Sequence, residues 1–346
     1  MDNVRAVGFR RYGGPEVLES MSLPRPRPME GNAIVRLLCT SVNRIDTLVR
    51  NGGRNLPLAM PHVPGCDVVG IVEEIRGRSD GVSVGDLVVA NTLYGCGGCA
   101  SCRNGDEVSC SRWKMVGVDI NGSYEEFVRV PTSTLVRPPG LFSAEELAAM
   151  PISLSIAWRA LRVVGKAKRG ETVVIRGASG SSGIFGLLLA KAMGLRTIAV
   201  SRDAIKMKKL REMGADIVIG GGETEAGIAD TILGATDGEG ADIVIEPFGA
   251  TLAQSIRLAR HGGRIVVYGA LAGAAANIDI KQLYLKNISV AGTHNSSRGE
   301  LKEAMGFLAE MRIRPVIAKV MGLEEAARAH SLLEGGRCFG KILLRP

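Results

Sequence analysis

The chain has 346 residues, of which 46% are apolar, which is enough to form two buried cores and excludes a disordered protein. Only 4% of the residues are aromatic and the formal net charge of +8 is spread along the chain, which disfavours a dedicated single-strand nucleic-acid binder. Glycines and three cysteines interrupt the longest charge-free run, residues 87–102, so we expect no membrane helix. No apolar signal segment follows the first residues, so we expect a cytoplasmic protein.

The first 136 residues contain short runs rich in β-forming residues and separated by Gly and Pro. These runs are Val4–Phe9, Ala33–Cys39, Val68–Ile75, Leu87–Ala90 and Phe127–Val130. The pattern predicts a compact, mostly β lobe. It changes at Ser143, which stands three residues before Glu146, and this spacing predicts the start of a helix that runs through Met150.

Four cysteines lie in one glycine-rich loop, residues 95–111, with the spacing C-x2-C-x2-C-x7-C: Cys96, Cys99, Cys102 and Cys110. Four thiolates can complete a tetrahedral shell around zinc, and a site with no open position is structural. A reducing compartment disfavours disulfides, and an iron–sulfur cluster has no evident electron-transfer partner here. The spacing therefore predicts one structural Zn²⁺ per chain.

Strands and helices alternate beyond Gly170, which favours a doubly wound parallel sheet. The predicted strands are Thr172–Arg176, Thr197–Val200, Ile217–Ile219, Asp242–Ile245, Arg264–Val267 and Ile288–Ala291. The predicted helices between them are Ser182–Met193, Ala204–Met213, Ile228–Leu233 and Leu252–Ala259. Two helices, Glu300–Met311 and Leu323–Leu333, and a strand, Lys341–Leu344, follow and could return to the first lobe. We therefore expect a catalytic domain formed by residues 1–152 and 293–346, with a dinucleotide-binding domain, 153–292, inserted in it.

A glycine-rich turn joins the first strand of this second domain to its helix. Gly177 allows the tight turn, Gly180 lets a pyrophosphate approach the backbone, and Gly183 allows close helix packing. The serines of the turn, Ser179, Ser181 and Ser182, complete the predicted cofactor-binding segment. The alternative is an ordinary turn with no ligand.

The second strand of this domain ends at Ser201 and Arg202, where an NAD-binding protein would usually place an acidic residue for the ribose. Both side chains, together with Lys206, can instead bind a 2′-phosphate, so we expect NADP(H). The alternative is that Arg202 is merely exposed to solvent. Further cofactor contacts are expected where later strands end, at Gly249, Tyr268 and Gly269.

Several segments together make the chain resemble the medium-chain dehydrogenase/reductase superfamily over its whole length. They are the Gly180/Gly183 turn, the cysteine loop, Tyr12–Glu19, Val42–Gly52, Pro64–Asp67, Ala157–Leu161 and Gly340–Leu343. The closer likeness is to the quinone oxidoreductase branch, although the cysteine loop is typical of the alcohol dehydrogenases. The resemblance implies an α/β fold with a GroES-like β-rich catalytic domain and a Rossmann domain.

The resemblance also identifies the positions that hold the catalytic zinc in the zinc alcohol dehydrogenases. This sequence has Asn43, Cys66 and Ile152 at those positions. Isoleucine has no donor atom and an amide is a poor zinc ligand, so two of the three ligands are missing. We therefore expect no catalytic zinc.

The function that follows is NADPH-dependent reduction of a quinone or an α,β-unsaturated carbonyl compound, because hydride addition to a conjugated acceptor requires only donors for the developing oxyanion. The resemblance places Asn43 and Asp46 near the nicotinamide, with Arg50 as a supporting charge. An alternative role for Asn43 is to cap the helix that begins at Arg44.

Two other functions stay open: a zinc alcohol dehydrogenase that recruits unusual ligands such as Cys39, Cys66, Asp46 or Asp67, and an NADPH-binding protein with little turnover. The expected partner is a small carbonyl or quinone substrate rather than a nucleic acid or a membrane. The exposed edge strand Ile288–Ala291 favours a homodimer or homotetramer.

Overall fold

The computed structural model of the protein divides into two compact units. The first unit comprises Met1–Ser155 and Ser296–Pro346, and the second comprises Ile156–Asn295. The boundaries lie three residues beyond the expected ones, at 155 against 152 and at 295 against 292. The structure describes residues 3–53, 57–220, 222 and 224–346.

The strands of the described residues are numbered in chain order. In the first half they are β1 Asn3–Gly8, β2 Glu19–Pro24, β3 Asn32–Ser41, β4 Val68–Arg76, β5 Leu87–Ala90, β6 Leu93–Tyr94, β7 Lys114–Met115, β8 Phe127–Pro131 and β9 Leu135–Val136. They continue as β10 Thr172–Arg176, β11 Arg196–Ser201, β12 Ile217–Gly220, β13 Ala241–Glu246, β14 Ala259–Val267, β15 Ser289–Gly292, β16 Ile317–Gly322 and β17 Lys341–Arg345.

The α-helices of the same residues are 4 to 13 residues long. They are α1 Arg44–Arg50, α2 Ala100–Arg103, α3 Ala144–Ala148, α4 Pro151–Trp158, α5 Ser181–Ala192, α6 Ala204–Glu212, α7 Glu225–Ala235, α8 Leu252–Leu258, α9 Ile280–Leu285, α10 Arg298–Glu310 and α11 Ala326–Glu334. None of these helices has the length and apolar character needed to cross a membrane.

The first unit is built on a mostly antiparallel sheet with the strand order β16-β17-β3-β4-β5-β9, in which β8 also pairs with β3. The last strand, β17, returns from the end of the chain to pair with β3, as the sequence suggested. Alternating apolar residues of β3, such as Ala33, Val35 and Leu37, are buried in the core of this unit. The predicted β-rich lobe is confirmed.

The second unit contains a six-stranded sheet, β12-β11-β10-β13-β14-β15, whose strands all run parallel. Its strands are nearly continuous runs of Val and Ile because both faces of a parallel sheet are covered. The strand order reverses between β10 and β13, and ligands of such sheets bind where the strands end at this reversal. The predicted dinucleotide-binding fold is therefore confirmed.

Several elements were not predicted from the sequence, among them β2, β16 and α9. Only Met21 of β2 and Met321 of β16 are buried, and no residue of α9 is buried. Apolar periodicity arises from burial, so elements with so little buried surface carry almost no pattern.

Candidate functional site

The glycine-rich turn after β10 has the geometry of a dinucleotide-binding turn. Gly177 has φ +64°, and a Cβ at Gly183 would lie 2.4 Å from the Gly177 carbonyl oxygen, so both positions require glycine. A Cβ at Gly180 would instead meet only the Gly177 oxygen, at 3.4 Å. The protein's own packing therefore does not explain Gly180, whereas close approach of a ligand to the start of α5 would.

The glycine-rich turn after β10 and the end of β11 are linked by two serines. The Ser201 hydroxyl donates to Ser179 Oγ at 3.0 Å. The next residue, Arg202, is exposed, and the nearby acidic residue Asp203 caps α6 by accepting from the backbone N–H of Ile205 and Lys206 at 2.9 and 3.1 Å. Asp203 is thus already used by the helix start.

Gly249 and Gly269 have a different structural reason from the one expected. A Cβ at Gly249 would lie 2.4 Å from the Gly273 oxygen, and a Cβ at Gly269 would lie 2.6 Å from the Pro247 oxygen. Backbone of the same unit fills the space that these glycines leave, so they do not by themselves indicate a ligand. Tyr268 donates its backbone N–H to the carbonyl oxygen of Glu246 at 3.1 Å, which joins the ends of β13 and β14.

In the first unit, the Asn43 side chain lies in a buried polar cluster. Its Oδ1 accepts from Lys341 Nζ at 2.6 Å, and its Nδ2 donates to Asp67 Oδ2 at 2.8 Å. Asn43 also stands directly before α1, so it occupies the cap position considered above. Its amide, however, is oriented by Lys341 and Asp67.

Asp67 is the anion of this cluster, and it is fully buried. Its Oδ1 accepts from the backbone N–H of Ile152 at 3.0 Å, and its Oδ2 accepts from the Ser41 hydroxyl. The Lys341 ammonium lies 3.4 Å from the same Oδ2, with only 1% of its side chain exposed. The buried charge of Asp67 is therefore balanced by a cation that the chain itself supplies. We call Asn43, Asp67 and Lys341 the lysine cluster.

Asp46 lies next to the lysine cluster and has no exposed surface. One carboxylate oxygen accepts from the backbone N–H of Asn43 at 2.7 Å, and the Cys66 thiol donates to the same side chain. Burial raises the pKa of Asp46 to about 7 and raises the pKa of Cys66 well above its ordinary value. Cys66 is therefore a neutral thiol that donates a hydrogen bond to Asp46.

Arg50 points to a different part of the first unit from Asn43 and Asp46. Its guanidinium donates to Glu334 Oε1 at 2.6 Å, to His330 Nδ1 at 3.0 Å and to the Gly13 carbonyl at 3.1 Å. Because Nδ1 accepts, His330 carries its proton on Nε2, which donates to the Tyr124 hydroxyl at 3.0 Å. The structure thus brings Asn43 and Asp46 together and places Arg50 in a network with α11.

The four predicted zinc ligands converge. The Sγ atoms of Cys96, Cys99, Cys102 and Cys110 all lie within 4.8 Å of one another. The Cys99–Cys102 and Cys96–Cys102 distances are 3.4 and 4.0 Å, close to the S–S distance of about 3.8 Å in a tetrahedral zinc site. A Cβ at Gly95 would lie 2.4 Å from Cys102 Sγ, so glycine there leaves room for the sulfur. The cluster fits a structural zinc.

Donors around Cys96 and Cys110 favour negative charge on these two sulfurs. Backbone N–H groups of Cys96 and Arg112 lie 3.4 and 3.3 Å from Cys110 Sγ, and the Arg112 guanidinium donates to Cys96 Sγ at 3.2 Å. A backbone hydrogen bond from Gly98 is the main reason that the pKa of Cys96 falls to about 6. The cysteine loop is the only group of three or more converging His, Cys, Asp or Glu ligands found in the described part of the chain.

Sequence reasoning missed the role of Lys341, which it used only as part of a strand and of the closing motif. A signal was present, because a lysine directly before Ile342, Leu343 and Leu344 stands at the start of a strand that is otherwise apolar. Charged residues are rarely buried without a partner. The sequence does not reveal that the partners of Lys341 are Asn43 and Asp67.

Comparisons with known proteins agree with this architecture. Residues 29–140 match the family described as alcohol dehydrogenase GroES-like domain, and residues 183–310 match the family described as zinc-binding dehydrogenase. The first match lies within the first unit, and the second covers most of the second unit and continues for 15 residues into the returning segment of the first.

Individual relatives carry different activities in their names. A quinone oxidoreductase from Mus musculus is 30% identical over 99% of this chain and 97% of its own length. An acryloyl-coenzyme A reductase from Metallosphaera sedula is 29% identical over 96% of this chain and 97% of its own length. The solved structure of an NAD-dependent alcohol dehydrogenase is 32% identical with a TM-score of 0.90 and covers 99% of both chains.

Proposed function

The chain belongs to the medium-chain dehydrogenase/reductase superfamily and is an NAD(P)-dependent oxidoreductase, and from that premise we propose that it reduces quinones or α,β-unsaturated carbonyl compounds with NADPH and without a catalytic metal. The lysine cluster carries the proposal. Where related alcohol dehydrogenases would hold a catalytic zinc, this chain has Asn43 bound to the Lys341 ammonium.

The donor set near Asn43 supports a reaction without a metal. Ile152 contributes only its backbone N–H to Asp67, and the Cys66 thiol is hydrogen-bonded to Asp46. Cys66, Asp46 and Asp67 do not converge as a ligand group, which disfavours the unusual zinc site considered above. A dication at this position would also be repelled by Lys341.

NADPH, when bound, supplies a hydride to an electron-poor carbon of the acceptor. The protein must then stabilise the negative charge that develops on the acceptor oxygen. The Asn43 Nδ2 group has two hydrogens, of which Asp67 accepts one, and its contacts with Ser41 are long, at 3.4 and 3.5 Å. We propose that the second hydrogen is donated to the acceptor oxygen as it becomes negative. Lys341 keeps the amide in the orientation that this requires.

The preference for NADPH over NADH is supported by the end of β11. Arg202 is exposed, Lys206 lies on the first turn of α6, and the carboxylate of Asp203 is used to cap that helix. Two cations at the end of this strand favour a 2′-phosphate. Replacing Arg202 with Gln is expected to raise KM for NADPH about tenfold and to leave KM for NADH unchanged. Lys208→Gln, an exposed lysine of the same helix, is the matched control.

Turnover with a panel of substrates tests the proposal. The full chain is assayed with NADPH and with NADH against quinones, enones, enoyl thioesters and aldehydes, and with NAD(P)⁺ against simple alcohols. We expect NADPH oxidation by a conjugated acceptor and its loss in Asn43→Ala. Tight NADPH binding without turnover would instead indicate a binding protein.

Metal analysis separates the proposal from a zinc alcohol dehydrogenase, the function that the NAD-dependent relative favours. We expect one zinc per chain, held by the cysteine loop, and a Cys110→Ser variant without zinc. Two zinc ions per chain, together with NAD-linked alcohol oxidation that is lost when Cys66 is replaced, would overturn the metal-free proposal.

We also propose that the chain self-associates through the edge of the second unit's sheet. β15 is the edge strand, with Val290 39% exposed, and α9 exposes Tyr284 and Leu285 at 60% and 55%. A second copy related by a two-fold axis would cover this apolar surface and pair the edge strand. Sedimentation of Val290→Lys and Tyr284→Lys tests it, and unchanged assembly would contradict it.

A further inference from the structure

Two opposite charges are buried side by side in the second unit, next to the glycine-rich turn. Arg176 is the last residue of β10 and Glu246 is the last residue of β13, and these strands are neighbours in the sheet. The two side chains are 3% and 0% exposed, and Arg176 Nε lies 3.5 Å from Glu246 Oε2. Neither residue was among the predicted cofactor-binding residues.

Glu246 organises the loop that follows it. Its Oε1 accepts from the backbone N–H of Phe248 at 2.6 Å and of Gly249 at 3.3 Å. The Thr251 hydroxyl lies 3.0 Å from both carboxylate oxygens, and the Ser255 hydroxyl donates to Oε2. One carboxylate therefore fixes both the loop 247–251 and the first turns of α8.

The fixed loop packs directly on the glycine-rich turn. A Cβ added to Gly177 would lie 3.1 Å from Cζ of Phe248 and 3.4 Å from Cγ of Pro247. Arg176 is the residue immediately before Gly177, and its guanidinium lies 3.4 Å from the Ser255 hydroxyl. The ion pair therefore connects the residue before the turn to the residue before the loop. It lies at the edge of the sheet where the strands end and ligands bind.

Stability alone is a weak explanation for such a pair. Removing two charges from water is costly, and apolar residues of similar size often stabilise a core as well or better. A buried ion pair with directional hydrogen bonds does, however, fix one arrangement of the groups around it. A fixed arrangement of this kind raises the affinity of a binding surface for its ligand, because fewer groups have to be ordered when the ligand binds.

We propose that Arg176 and Glu246 are positioning residues that hold the Gly177–Gly183 turn and the loop 247–251 in the arrangement that binds the dinucleotide. The proposal rests on the assignment of a dinucleotide to this turn. The pair does not contact the 2′-phosphate in this proposal, so it contributes equally to the affinities for NADPH and NADH.

Binding of both dinucleotides to the full chain tests this proposal. Glu246→Gln keeps the shape of the side chain but loses its charge and half of its acceptor capacity. We expect Kd for NADPH and for NADH to rise together, roughly tenfold, so that their ratio stays constant. Arg176→Gln should give the same pattern, and the double variant should cost less than the product of the two single effects.

A matched control exists near the start of β10, away from the glycine-rich turn. Glu171, just before β10, pairs with Arg264 at 2.6 Å, so Glu171→Gln also removes a partly buried ion pair from the second unit. We expect this variant to lose stability without a change in either Kd. If Glu246→Gln lowers the melting temperature but leaves both Kd values at the wild-type level, the proposal is wrong.

Milder variants and the wild-type chain itself provide two further tests of the positioning role. If Glu246→Gln does not fold, Thr251→Val and Ser255→Ala remove single hydrogen bonds to the carboxylate and should each raise both Kd values about twofold to threefold. If these milder variants bind like wild type, the positioning role is excluded. Failure of the wild-type chain to bind either dinucleotide would instead refute the proposed function itself.

Discussion

The cysteine loop and the lysine cluster, both in the first unit, differ in the cation that balances their negative charge. Four sulfurs of the loop lie within 4.8 Å of one another, and among the described residues only the Arg112 side chain donates to them as a cation. In the lysine cluster, Asp67 and Asn43 are already bound to Lys341. The loop therefore needs an added cation to hold four thiolates together, whereas the lysine cluster is complete without one.

Removal of zinc is the strongest test of this difference. The free energy of binding zinc is also free energy of folding for such a loop, so we expect the zinc-free chain to lose more than about 5 kcal/mol of stability in the first unit. Unfolding in urea is measured before and after chelation, together with the zinc content. Cys338→Ser, at a half-buried cysteine outside the loop, is the control and should behave like wild type. A chelated chain with unchanged stability would show that the loop does not depend on metal.

The second test removes the internal cation. Lys341→Met leaves the buried charge of Asp67 without its partner, and we expect a loss of about 3–5 kcal/mol. Adding Asp67→Asn removes the unpaired charge, so the double variant should be more stable than Lys341→Met alone. Urea unfolding of the two single variants and the double variant measures this coupling. Additive losses would mean that the two residues do not balance each other.

The third test uses the pH dependence of Asp46, the acid beside the lysine cluster. Burial raises its pKa in the folded chain to about 7 from 3.8, so the folded chain keeps a proton that the unfolded chain releases above pH 3.8. Stability from this group is therefore fully present below pH 3.8 and is lost as pH rises to 7. The loss is at most about 4 kcal/mol, and nothing further is lost above pH 7.

Asp46→Asn isolates this contribution, because an amide oxygen can still accept from the Asn43 backbone N–H and does not titrate. We expect the stability difference between wild type and Asp46→Asn to change between pH 4 and pH 7 in favour of the variant. Thermal unfolding in a pH series measures it. A difference that is constant over this range would place the pKa of Asp46 near its ordinary value.

The two regions also differ in how far the sequence predicts them. The cysteines are separated by two, two and seven residues, so one loop brings them together and their spacing alone predicts the site. Asn43 and Lys341 are 298 residues apart, and only the pairing of β17 with β3 brings them into contact. Spacing carries no information about such a contact. Sequence reasoning therefore predicted the zinc loop and missed the internal cation.

The same distinction applies to the fold. Strands with several buried apolar residues, such as β5 and β10, were predicted with their observed bounds, whereas β2 and β16 were missed because one residue of each is buried. Glu246 was named only as the end of a strand. Its partner Arg176 lies on a neighbouring strand 70 residues earlier (246 − 176), so their pairing required the sheet order.

The smallest expected effect concerns Arg112, whose guanidinium donates to a sulfur of the cysteine loop. A bound zinc with four thiolates carries a net negative charge, and a neighbouring guanidinium at 3.2 Å from Cys96 Sγ stabilises it. We expect Arg112→Gln to release zinc to a chelator roughly threefold to tenfold faster. Because Arg112 is exposed, this difference should shrink as salt is added.

Arg103→Gln is the control for this last prediction, since Arg103 lies in the same loop but donates to the Gly98 carbonyl rather than to a sulfur. It should release zinc at the wild-type rate. If both variants release zinc equally fast, the loop is sensitive to any lost contact and Arg112 has no specific role. If neither differs from wild type, the four cysteines and their backbone donors hold the ion without help from a neighbouring cation, and the contrast with the lysine cluster becomes sharper.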